Sequence, residues 1–117
     1  MIVEDDVVSV ELVKSILVDT GIRIEHVLTG LEAVKLVKRG FKPDVILMDM
    51  RLPEMDGYQA TQIIKGIHGD IPIIAQTAFA MTEDRQKCMA AGCDEYITKP
   101  YDETMLLKLL TDFLQRK

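Results

Sequence analysis

A chain of 117 residues has room for one hydrophobic core and not for two. Its 48% hydrophobic and 28% charged residues are those of an ordinary globular protein, and no apolar run approaches the ~20 residues of a membrane span. The net charge of −5 argues against a general nucleic-acid surface, which needs a basic patch, and Met1-Ile2-Val3-Glu4-Asp5-Asp6 has no basic region or apolar core of a signal peptide.

Ile2-Val3 reads as a strand stub, short for a strand, running into three acids, Glu4, Asp5 and Asp6. A helix is expected from about Val7 to Thr20, with Leu12, Val13, Ile16 and Leu17 on its inner face and Gly21 as its stop. Ile22 to Leu28 alternates as a second strand, and Gly30 turns the chain into a helix, Leu31 to Arg39, burying Ala33, Val34 and Val37. Val45 to Met48 is too short for a helix and reads as a strand buried on both faces. It ends on a carboxylate, Asp49, after which Pro53 and Asp56-Gly57 supply turn chemistry. A helix to about Gly66 follows, with Ala60, Ile63, Ile64 and Ile67 inward; Ile71 to Gln76 is a fourth strand, ending at Thr77.

Thr82 with Glu83 and Asp84 starts a helix that reaches Ala91 and stops at Gly92. Glu95 to Thr98 is the fifth strand, ended by Lys99-Pro100, and Asp102 caps a last helix carrying Leu106, Leu107, Leu110, Phe113 and Leu114 inward. Alternation of buried strands with amphipathic helices predicts one three-layer α/β domain over 1–117, built on a parallel sheet. Cys88 and Cys93 form no CxxC pair and read as reduced, packed thiols, and His26 and His68 as surface or edge residues.

All carboxyl ends of a parallel sheet lie on one edge, where open α/β sheets bind ligands. Glu4, Asp5, Asp6, Asp49, Thr77 and Lys99 all fall at such ends. Singly, each has a bland reading: a solvated helix start, a strand end, a turn hydroxyl, a surface charge. Together they would either hold a proton or recruit a cation, because two carboxylates about 4 Å apart repel by ~4 kcal/mol at an effective dielectric near 20. Oxygen ligands without thiol or imidazole suit Mg²⁺, with Mn²⁺ able to substitute, and Mg²⁺ favours a site shared with phosphate oxygens. Asp49 would then be a nucleophile toward phosphorus, Thr77 a hydroxyl donor and Lys99 a counter-charge.

Val3-Glu4-Asp5-Asp6, the Asp-x-x-x-Pro-x-x-x-Gly run from Asp49 to Gly57, Thr77-Ala78, Ala91-Gly92 and Tyr96-Ile97-Thr98-Lys99-Pro100 stand in the order found in response regulator receiver domains of two-component signalling, which the chain resembles along essentially its whole length. The resemblance implies a flavodoxin-like (βα)5 sheet in the order 2-1-3-4-5, with Glu4 and Asp5 beside Asp49. By the same resemblance, Asp49 accepts a phosphoryl group from phosphohistidine. Asp5 ligates Mg²⁺ directly, Glu4 does so through water, and the backbone carbonyl of Arg51 completes the protein ligands. Thr77 and Tyr96 form the switch, Lys99 pairs with the phosphoryl group, and the Lys99-Pro100 bond is cis.

The implied partners are a histidine kinase or histidine phosphotransfer protein and a downstream partner or output domain, with no nucleic acid or membrane contacted by the domain itself. The implied location is the cytoplasm, and homodimers through the last helices occur in the family. Arg51 and Phe79 would border the path of attacking water, Phe79 screening the acyl phosphate. The short first strand, the end at Arg116-Lys117 and the Thr77–Cys88 segment point to a receiver excised from a longer chain such as a hybrid histidine kinase. Two rivals remain. A haloacid-dehalogenase-like phosphatase would need a second acid where Arg51 stands; a degenerate receiver acting only by docking would not need the Asp5, Asp49, Thr77 and Lys99 set.

Overall fold

The computed structural model describes residues 1–51, 55–77, 82–99 and 102–115. The expected Pro53 turn, Ala78, the Phe79 screen, the Lys99-Pro100 bond and the Arg116-Lys117 end lie outside the described residues, as does capping by the Thr82, Glu83 and Asp84 side chains.

Five strands, β1 (Ile2–Val3), β2 (His26–Val27), β3 (Ile46–Asp49), β4 (Ile73–Thr77) and β5 (Glu95–Thr98), alternate with α1 (Val7–Leu17), α2 (Gly30–Lys38), α3 (Gly57–Ile67), α4 (Thr82–Ala91) and α5 (Glu103–Gln115). All strand pairs are parallel, in the order β2-β1-β3-β4-β5. Because side chains alternate across a strand, the sheet separates two cores. Val3, Ile46, Met48, Ile73 and Ala75 pack toward α2, α3 and α4, with Val34, Ile64 and Cys88. Ile2, Leu47, Ile74 and Ile97 pack toward α1 and α5, with Val10, Val13, Leu106 and Leu110.

Several expectations need correction. α1 ends at Leu17 rather than Thr20, and Leu12 is 47% exposed. Its buried residues are Val10, Val13 and Leu17; at 100° per residue Leu12 lies about 200° from Val10, on the outer side. β2 shrinks to His26–Val27, because a two-residue β1 gives it only Ile2 and Val3 to pair with. Gly30 is not the turn: it is already helical, and Thr29 caps α2 by accepting from the Glu32 N–H at 3.1 Å. On α3, Thr61 is buried while Ile67, in the open last turn, is exposed and Ile63 is half-buried. Leu107 and Leu114 only flank the α5 stripe formed by Leu106, Leu110 and Phe113.

Candidate phosphoryl-transfer site

The register that builds the sheet also builds the site. Ile2 pairs with Leu47, Leu47 with Ile74, and Gln76 with Ile97, all on the α1–α5 side. Continuing the alternation by two residues puts Glu4, Asp49, Gln76 and Lys99 in one polar row along the carboxyl edge of that face. Thr77 and Tyr96 share the opposite face, Thr77 two residues beyond Ala75 and Tyr96 paired with Ala75.

Glu4 is 1% exposed and Asp49 7%. Carboxylate oxygens of Glu4, Asp5 and Asp49 all lie within 4.8 Å of one another, although Asp5 itself is exposed. Lys99 crosses the edge to form an ion pair with Glu4, and its Nζ stands 3.7 Å from Asp49 Oδ2. The Arg51 N–H donates to Asp49 Oδ1 at 2.9 Å, so the segment after β3 curls back over the carboxylate while the Arg51 residue stays exposed. Asp6 caps α1, accepting from the Val8 N–H at 3.1 Å and the Ser9 hydroxyl at 2.9 Å; it belongs to the helix start rather than the cluster. His26 holds the neighbouring backbone, its Nε2 lying 2.8 Å from the Glu4 carbonyl oxygen.

Close packing fixes where Asp49 stands. α3 begins at Gly57, capped by Asp56, which accepts from the Gln59 N–H at 2.9 Å. A Cβ on Gly57 would run into the Asp49 carbonyl oxygen and come within 2.6 Å of Met50 Cα. Only a glycine lets the helix rest directly on the strand end.

The charges are out of balance. Burial, joined by a hydrogen bond with Asp49, pushes the Glu4 carboxyl up to about 7 against the opposing pull of Lys99. Burial works against the Lys99 charge, but the hydrogen bond to Glu4 and the fields of Asp49 and Glu4 outweigh it and hold its pKa above the ordinary lysine value. Three carboxylates around one ammonium leave room for more positive charge, and the donors are all hard oxygens. That set fits a divalent cation of the Mg²⁺ type.

The structure thus brings Glu4, Asp5, Asp49 and Lys99 together, and puts Arg51 against Asp49 through its backbone N–H. Buried Thr77 and half-buried Tyr96 end β4 and line β5 on the other face, outside the carboxylate cluster. The Arg85 guanidinium lies over the Tyr96 ring, 5.5 Å from its centroid. Sequence reasoning missed Gln76, a lone amide in an otherwise apolar buried strand. It also missed the stacking of Arg85, which no local pattern announces.

A doubly wound parallel sheet in this order, with an acid cluster and a lysine at its carboxyl edge, belongs to the flavodoxin-like α/β class, in which ligands bind at that edge. Residues 1–111 match the model of the response regulator receiver domain, and the chain belongs to that family. It is 36% identical to the polar-differentiation response regulator DivK of Brucella anthropi over 116 residues, covering 97% of this chain and 94% of DivK. It is also 36% identical to the probable transcriptional regulator ycf29 of Porphyra purpurea, over 118 residues and 99% of this chain, but spans only 56% of that protein.

Among solved structures, the receiver domain of sensor histidine kinase PA1611 from Pseudomonas aeruginosa PAO1, with magnesium coordinated in its active site cleft, aligns with a TM-score of 0.88 at 37% identity, covering 97% of this chain and 94% of that one. A chain of the Saccharomyces cerevisiae complex between the histidine phosphotransfer protein Ypd1 and the receiver domain of Ssk1 aligns at 0.86 and 30%, covering 96% and 85%.

Proposed function

We propose that residues 1–117 form one phosphoacceptor domain that takes a phosphoryl group from a phosphohistidine onto the Asp49 carboxylate. The observation that carries this reading is Asp49 itself, buried at a strand end with two other carboxylates within 4.8 Å and Lys99 Nζ at 3.7 Å. A carboxylate oxygen forms the new P–O bond as the P–N bond breaks, and its electron pair returns to the imidazole nitrogen. Glu4, Asp5, Asp49 and the Arg51 carbonyl would hold Mg²⁺, or Mn²⁺ in its place. Such an ion offsets the repulsion between an incoming phosphoryl group and the acids.

Lys99 supplies the positive charge that meets the phosphoryl oxygens, and the Arg51 N–H orients the carboxylate from its other oxygen. Phosphorylation replaces one negative charge by roughly two and adds acceptor oxygens. Thr77 then turns toward them, Tyr96 follows inward, and the β4–α4–β5 surface changes state. The domain acts as a stoichiometric relay in the cytoplasm. Its donor is a histidine kinase or a phosphotransfer protein of the Ypd1 kind, and its output is a partner or attached domain that reads the changed face.

Intact mass after incubation with phosphoramidate, with and without Mg²⁺, tests the reading on wild type and Asp49→Ala. The expected result is a Mg²⁺-dependent gain of one phosphoryl group that the variant lacks. A folded wild type that gains nothing would leave a docking module without phosphoryl chemistry.

A further inference from the structure

Gln76 is 1% exposed, and neither its amide nitrogen nor its amide oxygen has a hydrogen-bond partner among the described residues. Burying an amide in that condition costs stability that an apolar side chain of the same shape would not lose. Its place in the sheet gives the cost a reason. Gln76 pairs with Asp49 on one side and with Ile97 on the other, on the α1–α5 face. Lys99, two residues beyond Ile97, reaches across to Glu4 after β1 and to Asp49 on β3. To do so it must pass over the end of β4, and the residue at that end on that face is Gln76.

We infer that Gln76 is a positioning residue for Lys99, resting on the reading of Asp49 as phosphoacceptor. In the resting protein the ammonium is drawn to Glu4, and the Gln76 amide goes unpaired. When the phosphoryl group adds charge on Asp49 and a cation takes up Glu4, Lys99 withdraws from Glu4 over the end of β4. There the Gln76 amide oxygen accepts a hydrogen bond from it and steadies the ammonium against the phosphoryl oxygens. Only the phosphorylated state then gives the amide oxygen a partner, and an interaction made in one of two states shifts the balance between them.

The test uses Gln76→Met, unbranched and of similar length, in the wild-type and Lys99→Met backgrounds. Acyl-phosphate formation from phosphoramidate and MgCl₂ is followed by intact mass, alongside thermal melting. The expected result is a variant that melts higher yet is phosphorylated about tenfold more slowly, the worth of one hydrogen bond to a charged group. In the Lys99→Met background the same substitution should change the rate no further, because Gln76 acts through Lys99.

An unchanged rate in Gln76→Met, or equal slowing in both backgrounds, overturns the inference while Asp49 phosphorylation in the wild type stands. No phosphorylation of the wild type overturns the functional reading instead. Should Gln76→Met fail to fold, the wild-type spectrum decides. The Gln76 side-chain amide resonances shift on adding beryllium fluoride, an acyl-phosphate mimic, if the amide gains a partner, and stay in place if it does not.

Discussion

The two faces of the sheet's carboxyl edge hold their functional groups by different means. Toward α1 and α5, Glu4, Asp49 and Lys99 are tied by buried or half-buried charge, with Lys99 paired to Glu4. Toward α4, buried Thr77 ends β4 and Tyr96 lies under the exposed guanidinium of Arg85. Removing Lys99 would leave Glu4 and Asp49 buried without their counter-charge, at a cost of about 3–5 kcal/mol, whereas a cation–ring contact at an exposed site contributes about 0.5–1 kcal/mol. The first face is therefore built to be rearranged only by an event of comparable size, such as a new phosphoryl charge or a bound cation. The contact over Tyr96 is weak enough to give way after it. Under the proposed function, the first face detects and the second reports.

The largest effect is expected where the detecting face meets α3. Gly57→Ala drives a methyl group into the Asp49–Met50 backbone, and neither neighbour is the flexible end of a side chain. We expect a loss of about 4 kcal/mol in urea unfolding, well above the small helix-propensity gain of alanine. Amide shifts should concentrate around β3, with Tyr96 little disturbed. A variant as stable as wild type would mean that α3 does not clamp the acceptor strand.

A somewhat smaller effect isolates the buried charge. Glu4 is raised from 4.5 to about 7 by burial and its bond with Asp49. Between those values the folded protein holds a proton that the unfolded chain has released. The stabilising contribution is full below pH 4.5 and is lost as pH rises through 7. In EDTA, Glu4→Gln should match wild type near the lower limit and exceed it by about 3 kcal/mol at the upper end of this window and beyond.

A pH-independent difference would show that Glu4 is ionised in the metal-free protein. Adding Mg²⁺ should reverse the order, because only the wild type keeps the full carboxylate set.

Much of this organisation was legible in the chain. The runs Val45–Met48 and Glu95–Thr98 are bounded by turn signals, so their ends, and with them Asp49 and Lys99, fall on one edge by sequence alone. What could not be read was register. Glu4 and Lys99 are 95 residues apart, and their pairing depends on how five strands align. Gln76 reads only as the end of the apolar fourth strand, and it takes the pairing with Asp49 to place it in the row of the site. Leu12 and Ile67 were misplaced for a simpler reason: apolar residues outnumber buried positions on α1 and α3, and composition does not say which are left over.

The smallest effect tests the reporting face. Arg85→Ala removes only an exposed cation from above Tyr96, so unfolding should lose no more than about 1 kcal/mol. Tyr96→Phe keeps a ring for the guanidinium, whereas Tyr96→Leu removes it. Arg85→Ala should therefore cost the same in the Phe background as in wild type, and nothing in the Leu background. If Arg85 also holds Tyr96 in its resting position, its loss shifts the balance toward the inward state. The Tyr96 ring resonances of Arg85→Ala should then move part of the way toward those of beryllium-fluoride-treated wild type, before any phosphoryl mimic is added. Ring resonances that stay at the resting position would make Arg85 a cover for the ring and not a latch. Switching would then rest on Thr77 alone.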